Sequence, residues 1–180
     1  MNAQSSTLVL IDYQARLMPV IQDSAALLAN ARRLAQAAQI LGIPVLGTEQ
    51  NPLKLGPNLA FIKAECERTL AKTHFDACQD GLLEALDEVE RKRDQIVIAG
   101  CEAHVCMLQT ALGLLRAGKR VWVVANASGS RRQSDYTAAM DRLGQAGAII
   151  VTCEMVMFEW LHDCRHPRFR EVLALIKTAD

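Results

Sequence analysis

Five short, near-continuous apolar runs constrain this chain more than any other feature. They are Leu8-Val9-Leu10-Ile11, Ile43-Pro44-Val45-Leu46, Gln95-Ile96-Val97-Ile98-Ala99, Arg120-Val121-Trp122-Val123-Val124 and Ala148-Ile149-Ile150-Val151, with Thr69-Leu70-Ala71-Lys72 as a weaker sixth. Runs of strand length that are apolar throughout, rather than at alternate positions, suit parallel strands covered by helices on both faces. Helical stretches separate them: residues 24–41, 81–93, 103–117 and 134–146, with a terminal helix over 167–177. Gly42, Gly118 and Gly147 each stand between a helix and the next strand, the punctuation of βαβ units. The pattern predicts an α/β fold of three layers, α/β/α, with a mostly parallel six-stranded sheet. One domain is expected over residues 1–180. In such sheets ligands sit outside the C-terminal ends of the strands.

Composition narrows the function classes. Half of the 180 residues (51%) are apolar and 22% are charged, which excludes a disordered or collagen-like chain. Lys plus Arg equals Asp plus Glu at 20 each, so a nucleic acid or an anionic membrane has no electrostatic ground as a partner. Aromatics at 4% supply no stacking platform for single strands. No apolar stretch reaches the ~18 residues of a membrane span, and the leading residues are too polar for a signal-peptide core. A cytoplasmic protein is expected, with its six cysteines mostly as thiols, since none forms CxxC and their spacing is irregular.

Three polar residues stand where elements end. Asp12 follows the first apolar run directly, and Lys72 closes the weak sixth one. Each alone reads most simply as a turn acid or a strand-edge lysine with its head in water. Together they suggest a buried pair, because a buried lysine needs a buried acid. Cys106 lies in Ile98-Ala99-Gly100-Cys101-Glu102-Ala103-His104-Val105-Cys106, which reads strand, glycine turn, helix. At ~100° per residue it falls roughly 140° from the centre of the Val105, Leu108, Leu112, Leu115 stripe, so it is poorly placed as a core filler. In the first turn, the positive end of the helix dipole is expected to lower its pKa. A Cys nucleophile, an Asp that accepts and returns its proton, and a Lys charge partner fit nucleophilic catalysis.

Three blocks carry a family resemblance: Leu8-Val9-Leu10-Ile11-Asp12-Tyr13-Gln14, Ala71-Lys72-Thr73, and Gly100-Cys101-Glu102-Ala103-His104-Val105-Cys106 followed by Gln109-Thr110-Ala111. In their order and spacing the chain resembles the isochorismatase-like cysteine hydrolase superfamily over nearly its whole length. Thr48-Glu49-Gln50-Asn51-Pro52-Leu53-Lys54-Leu55-Gly56 and His166-Pro167-Arg168-Phe169-Arg170-Glu171 resemble signatures of the isochorismatase domain-containing subgroup. The resemblance implies strand order 3-2-1-4-5-6 and a catalytic triad of Asp12, Lys72 and Cys106. It also implies a non-proline cis peptide at Cys101–Glu102, and an oxyanion hole made of the Glu102 and Cys106 N–H groups. In that order strands 1 and 4 are neighbours, which brings Asp12 and Cys106 together. Lys72 starts two strands away, ~9–10 Å, and must reach inward.

The mechanism implied is hydrolysis of a small amide-type C–N bond through a Cys106 thioester, with Asp12 as base and then acid. Nicotinamidases of the superfamily hold a divalent metal through an Asp and two histidines after the second strand. Residues 48–63 contain neither residue type, so no metal and no cofactor are expected. Isochorismatases proper lack the nucleophilic cysteine that Cys106 supplies. Tyr13, Gln14, Gln50, Phe75 and His104 are candidate substrate contacts, and Arg131-Arg132 reads as a solvated turn. The competing reading is a catalytically idle member acting as an oligomeric protein-interaction module. A redox-sensing thiol would need Cys101 as a resolving partner. The expected partner is a small-molecule substrate. Homo-oligomerisation, as a dimer or larger, is suggested by the apolar segment of residues 155–161.

Overall fold

The computed structural model describes residues 1–90 and 93–177. Six strands, β1 (Ser6–Ile11), β2 (Val45–Gln50), β3 (Arg68–Lys72), β4 (Gln95–Gly100), β5 (Arg120–Val124) and β6 (Ile149–Val151), form one sheet. Its order is β3-β2-β1-β4-β5-β6, and every pairing is parallel. The helices are α1 (Ser24–Ile40), the short α2 (Pro52–Leu55) and α3 (Ala60–Lys63), α4 (Leu82–Glu90), α5 (Leu108–Arg116), α6 (Gln133–Gln145), α7 (Cys153–Leu161) and α8 (Phe169–Lys177). The predicted architecture and strand order are both found.

The apolar runs are doubly buried because each feeds two cores. Leu8, Leu10, Val97, Ala99, Trp122 and Val124 pack with α1, α7 and α8 on one face of the sheet. Val9, Ile11, Ile96, Ile98, Val121 and Val123 pack with α4, α5 and α6 on the other. Successive side chains of a strand point to opposite faces, so only a continuously apolar run satisfies both. β3 is an edge strand, and only Leu70 and Lys72 of it are buried. Alternation places those two on the same side of the sheet, that of the second core.

Two elements differ from the sequence reading. β2 begins at Val45, because Pro44 has no N–H to offer a ladder, and it runs on through Gly47-Thr48-Glu49-Gln50, beyond the predicted apolar run. All six of its residues are buried, since it lies between β3 and β1. The segment at 155–161 belongs to a core helix. In α7, Val156, Met157, Trp160 and Leu161 are buried, and Thr152 caps the helix by accepting from the Met155 N–H. Only Met155 and Phe158 of that segment remain as exposed large apolar side chains. Most of the apolar surface expected to drive oligomerisation is thus consumed by the monomer's own core.

The cores also hold most of the cysteines. Burial pushes the thiols of Cys66, Cys78, Cys106 and Cys153 each up to about 12, and that of Cys101 upward as well. These groups resist ionising when folded but titrate near 9 when exposed. Their contribution is therefore complete below pH 9 and is lost as pH climbs toward 12. Urea midpoints should stay level from pH 7 to about 8.5 and then fall, by on the order of 1 kcal/mol per buried thiol at pH 10. A flat profile to pH 11 contradicts this.

Candidate active site

The ends of β1, β2, β3 and β4 converge on one buried polar cluster. Gly100 pairs with Ile11 across β4 and β1, and a Cβ on it would collide with the Ile11 carbonyl oxygen and side chain. Only glycine allows this close approach. Asp12, the residue after β1, is fully buried in a left-handed conformation, φ 54°. Its Oδ1 accepts from the Thr48 hydroxyl at 2.7 Å and its Oδ2 from Lys72 Nζ at 2.8 Å. Lys72 reaches from β3 across β2 to make this pair, so the inward reach required of it occurs. On the way its ammonium also donates to Gln50 Oε1 at 2.6 Å. Both partners of the ion pair are shut off from water.

Cys106 completes the cluster. Its Sγ lies 3.8 Å from the same Gln50 Oε1, and the residue is 5% exposed. It sits in a π-helical turn, Ala103–Met107, that precedes α5. A spacing of ~100° per residue does not hold in such a turn, which explains why Cys106 is buried with the second core despite its place off the stripe. Single-turn π segments occur often at functional sites. The thiol's pKa is raised, to about 12, instead of lowered. Burial is the main cause, and the Asp12 carboxylate and a hydrogen bond to it push the same way. Lys72 opposes this and does not prevail. The environment thus favours the neutral thiol, where the sequence predicts a lowered pKa.

Other expectations are corrected. The described residues contain no cis peptide bond, so none lies at Cys101–Glu102. The chain reverses instead through Glu102 in the left-handed region, φ 37° and ψ 75°, directly before the π turn. With Asp12 and Asn51 (φ 39°), three residues with side chains hold positive φ after neighbouring strands β1, β2 and β4. Each such residue costs about 1–3 kcal/mol. Tyr13 is a core residue on the α1 face, its hydroxyl donating to the Ala127 carbonyl at 2.6 Å. Gln14 is fully buried and tied to backbone: its Nε2 donates to the Gln50 and Gly56 carbonyls, and its Oε1 accepts from the Gln50 N–H. Neither faces Cys106, so both leave the set of candidate substrate contacts. Gln50 stays at the site as a partner of Lys72 and Cys106, with its Nε2 held by the Thr73 carbonyl at 2.7 Å.

Phe75 is half exposed, and its carbonyl accepts from the Thr110 hydroxyl one turn beyond Cys106. His104 turns away from the sulfur toward Ser130, Glu102 and Asp135. Cys101 faces the opposite core, against Met18 Sδ at 3.4 Å, so it is not placed as a resolving thiol. Two residues were given no role at the site by the sequence reading, which has Thr48 only within a subgroup signature and Arg131 only in a solvated turn. Thr48 lies in the polar tail of β2, and Arg131 forms a two-pronged ion pair with Glu102 at 3.0 and 3.3 Å. A polar triplet continuing a buried strand was the available signal for Thr48; Arg131 had none. Among the described residues no group of three or more His, Cys, Asp or Glu side chains is arranged to hold a metal. A roomy hollow of about 850 Å³, lined by Ala3, Leu41, Trp160 and His166, lies at the other end of the sheet and contains none of these groups. Chemistry, not volume, locates the site.

The profile of the isochorismatase domain matches residues 6–155. The chain belongs to the isochorismatase family. Isochorismatase domain-containing protein 2 of Danio rerio is 35% identical over 98% of this chain and 89% of its own length. The Homo sapiens protein of that name is 37% identical over 96% and 83%. Among solved structures, one described as the MAR1 ribonuclease of Caenorhabditis elegans superposes with a TM-score of 0.92 at 34% identity, covering 99% of this chain and 93% of that one. The YcaC product of Escherichia coli, described as an octameric hydrolase of unknown specificity, gives 0.84 at 25% identity, over 99% and 96%. No helix among the described residues is long and apolar enough to cross a membrane.

Two measurements probe this family site. Replacing Lys72 by Met strands the Asp12 carboxylate in the core and should cost about 3–5 kcal/mol in urea unfolding. Adding Asp12→Asn should restore most of that loss, and a double variant no more stable than the single one argues against the coupling. Alkylation of Cys106 by iodoacetamide, followed by peptide mass, should keep rising about tenfold per pH unit beyond pH 9. A plateau below pH 8 would mean a pre-ionised thiolate.

Proposed function

We propose that this chain is a metal-independent cysteine hydrolase that cleaves an amide-type C–N bond of a small molecule. The reading is carried by one observation: Gln50 Oε1 meets both the Cys106 sulfur and the Lys72 ammonium, whose other partner is the buried Asp12 carboxylate. As Sγ forms its bond to the substrate carbonyl carbon, the thiol proton passes to Asp12. General-base transfer of this kind needs no pre-formed thiolate. The oxyanion is received by the N–H groups of Glu102 and Cys106. The C–N bond then breaks, and the amine leaves with the proton from Asp12. Water attacks the thioester, giving one proton to Asp12. The acid product departs, and the proton returns to sulfur. Lys72 fixes the direction of the Asp12 carboxylate.

The hydrolase wording for the Escherichia coli relative supports this reading, and its octamer supports a homo-oligomer here. The ribonuclease wording for the Caenorhabditis elegans relative adds an RNA arm to the test. A zero net charge provides no footprint for a phosphate backbone.

A panel of small amides should reveal ammonia or amine release that falls at least about a hundredfold in Cys106→Ala and is unchanged by a chelator. Release that persists in Cys106→Ala overturns the mechanism. Cleavage of an RNA oligonucleotide, with no amide turned over, overturns the substrate class. An inert protein that only binds partners returns the idle-module reading.

A further inference from the structure

Glu102 combines three features that its place in a turn does not explain. Its backbone is left-handed, a conformation that residues with side chains rarely adopt. Its carboxylate is nearly buried, although it belongs to a loop. And that carboxylate is gripped from two directions. Arg131 Nε and Nη2 donate to its two oxygens at 3.0 and 3.3 Å, and His104 Nε2 lies 3.5 Å from Oε2. The grip is itself anchored. His104 Nδ1 meets the Ser130 hydroxyl at 3.0 Å, and Asp135 of α6 stands 3.9 Å from its Nε2. Arg131 and Ser130 follow Gly129, whose carbonyl accepts the Ala103 N–H and whose N–H donates to the Gly100 carbonyl. The loop after β5 thus clasps the turn before Cys106 through both backbone and side chains.

The backbone N–H groups around this turn are allotted unequally. Cys101 donates to Ile11, Ala103 to Gly129, and Val105 to the Glu102 carbonyl. No acceptor among the described residues takes the Glu102 N–H. A donor left open at a conformation that must be held in place is the form a pre-organised oxyanion donor takes.

We infer that Arg131, with His104 beside it, is a positioning residue: by clamping the Glu102 carboxylate it holds residue 102 left-handed and keeps its N–H aimed for the transition state at Cys106. The inference rests on the hydrolase reading above and deepens it. A bidentate guanidinium fixes the plane of a carboxylate as well as its place, which a lysine cannot do.

The test compares two reactions of the same sulfur. p-Nitrophenyl acetate acylates a thiol through a tetrahedral oxyanion: the S–C bond forms, the thiol proton goes to the base, and p-nitrophenolate leaves. Iodoacetamide alkylates sulfur with loss of iodide and passes through no oxyanion. Both rates are measured at pH 9 on the full chain, as the difference from Cys106→Ala. Arg131→Met should slow acylation by about tenfold or more and leave alkylation within about twofold. Arg131→Lys should recover part of the loss, and Glu102→Gln, which keeps the N–H but loses the clamp, should resemble Arg131→Met. Equal losses in both reactions mean that the variant disturbs the thiol or the fold, and overturn the inference. No loss in either reaction overturns it too. A wild-type Cys106 that is alkylated but never acylated sinks the hydrolase reading itself, and the inference with it.

Discussion

The ion pair between Asp12 and Lys72 spans three strands, and the surrounding chemistry is arranged to make it tolerable. Two charges taken out of water repay their desolvation only when their remaining hydrogen-bonding capacity is met. Here Thr48 takes the second carboxylate oxygen, and Gln50 takes a second ammonium proton. Both come from β2, the strand lying between the two charges. The unusual polarity of a fully buried strand end thus has a cause: Thr48 and Gln50 solvate a pair that water cannot reach.

That pair also sets the state of the sulfur. Cys106 feels a burial penalty, an acid that disfavours its ionisation and an ammonium that favours it, and the first two prevail. The helix-dipole argument from sequence weighed only a favourable term. It omitted the burial that brings the thiol to the acid, and it assumed an α-helical first turn where the chain forms a π turn. A buried thiol whose pKa is raised is less reactive toward general electrophiles than an exposed thiolate.

Of the five non-glycine residues with positive φ among the described residues, Asp23 and His162 flank helices and the other three cluster at one edge of the sheet. Asp12, Asn51 and Glu102 hold positive φ at the C-terminal ends of three adjacent parallel strands, the edge at which α/β sheets bind ligands. Sequence legibility fails at the same place. Strands, helices and two-sided burial were readable because they follow from periodicity in near neighbours, as β5, found at residues 120–124, illustrates. Asp12, Lys72 and Cys106 were readable as residue types at element ends and from family motifs. Tyr13 and Gln14 were misread for a plain reason. Adjacency to Asp12 in sequence says nothing about direction: the left-handed turn at Asp12 breaks the alternation of β1, and Tyr13 joins the core of Leu8 and Leu10 instead of that of Val9 and Ile11. Arg131 is exposed, as a solvated turn requires, but its ion pair could not be read because its partner lies 29 residues earlier.

The sequence alone determined the layered parallel architecture, the helices that cover it and the polar residue types at the C-terminal strand edge, because those depend on local hydrophobic patterning and short motifs. Only the tertiary structure decided that Lys72 crosses β2 to reach Asp12, that Cys106 is buried, that Gln14 braces backbone and that Arg131 grips Glu102. Each of these depends on distance and desolvation between segments far apart in the chain, and a linear pattern carries neither quantity.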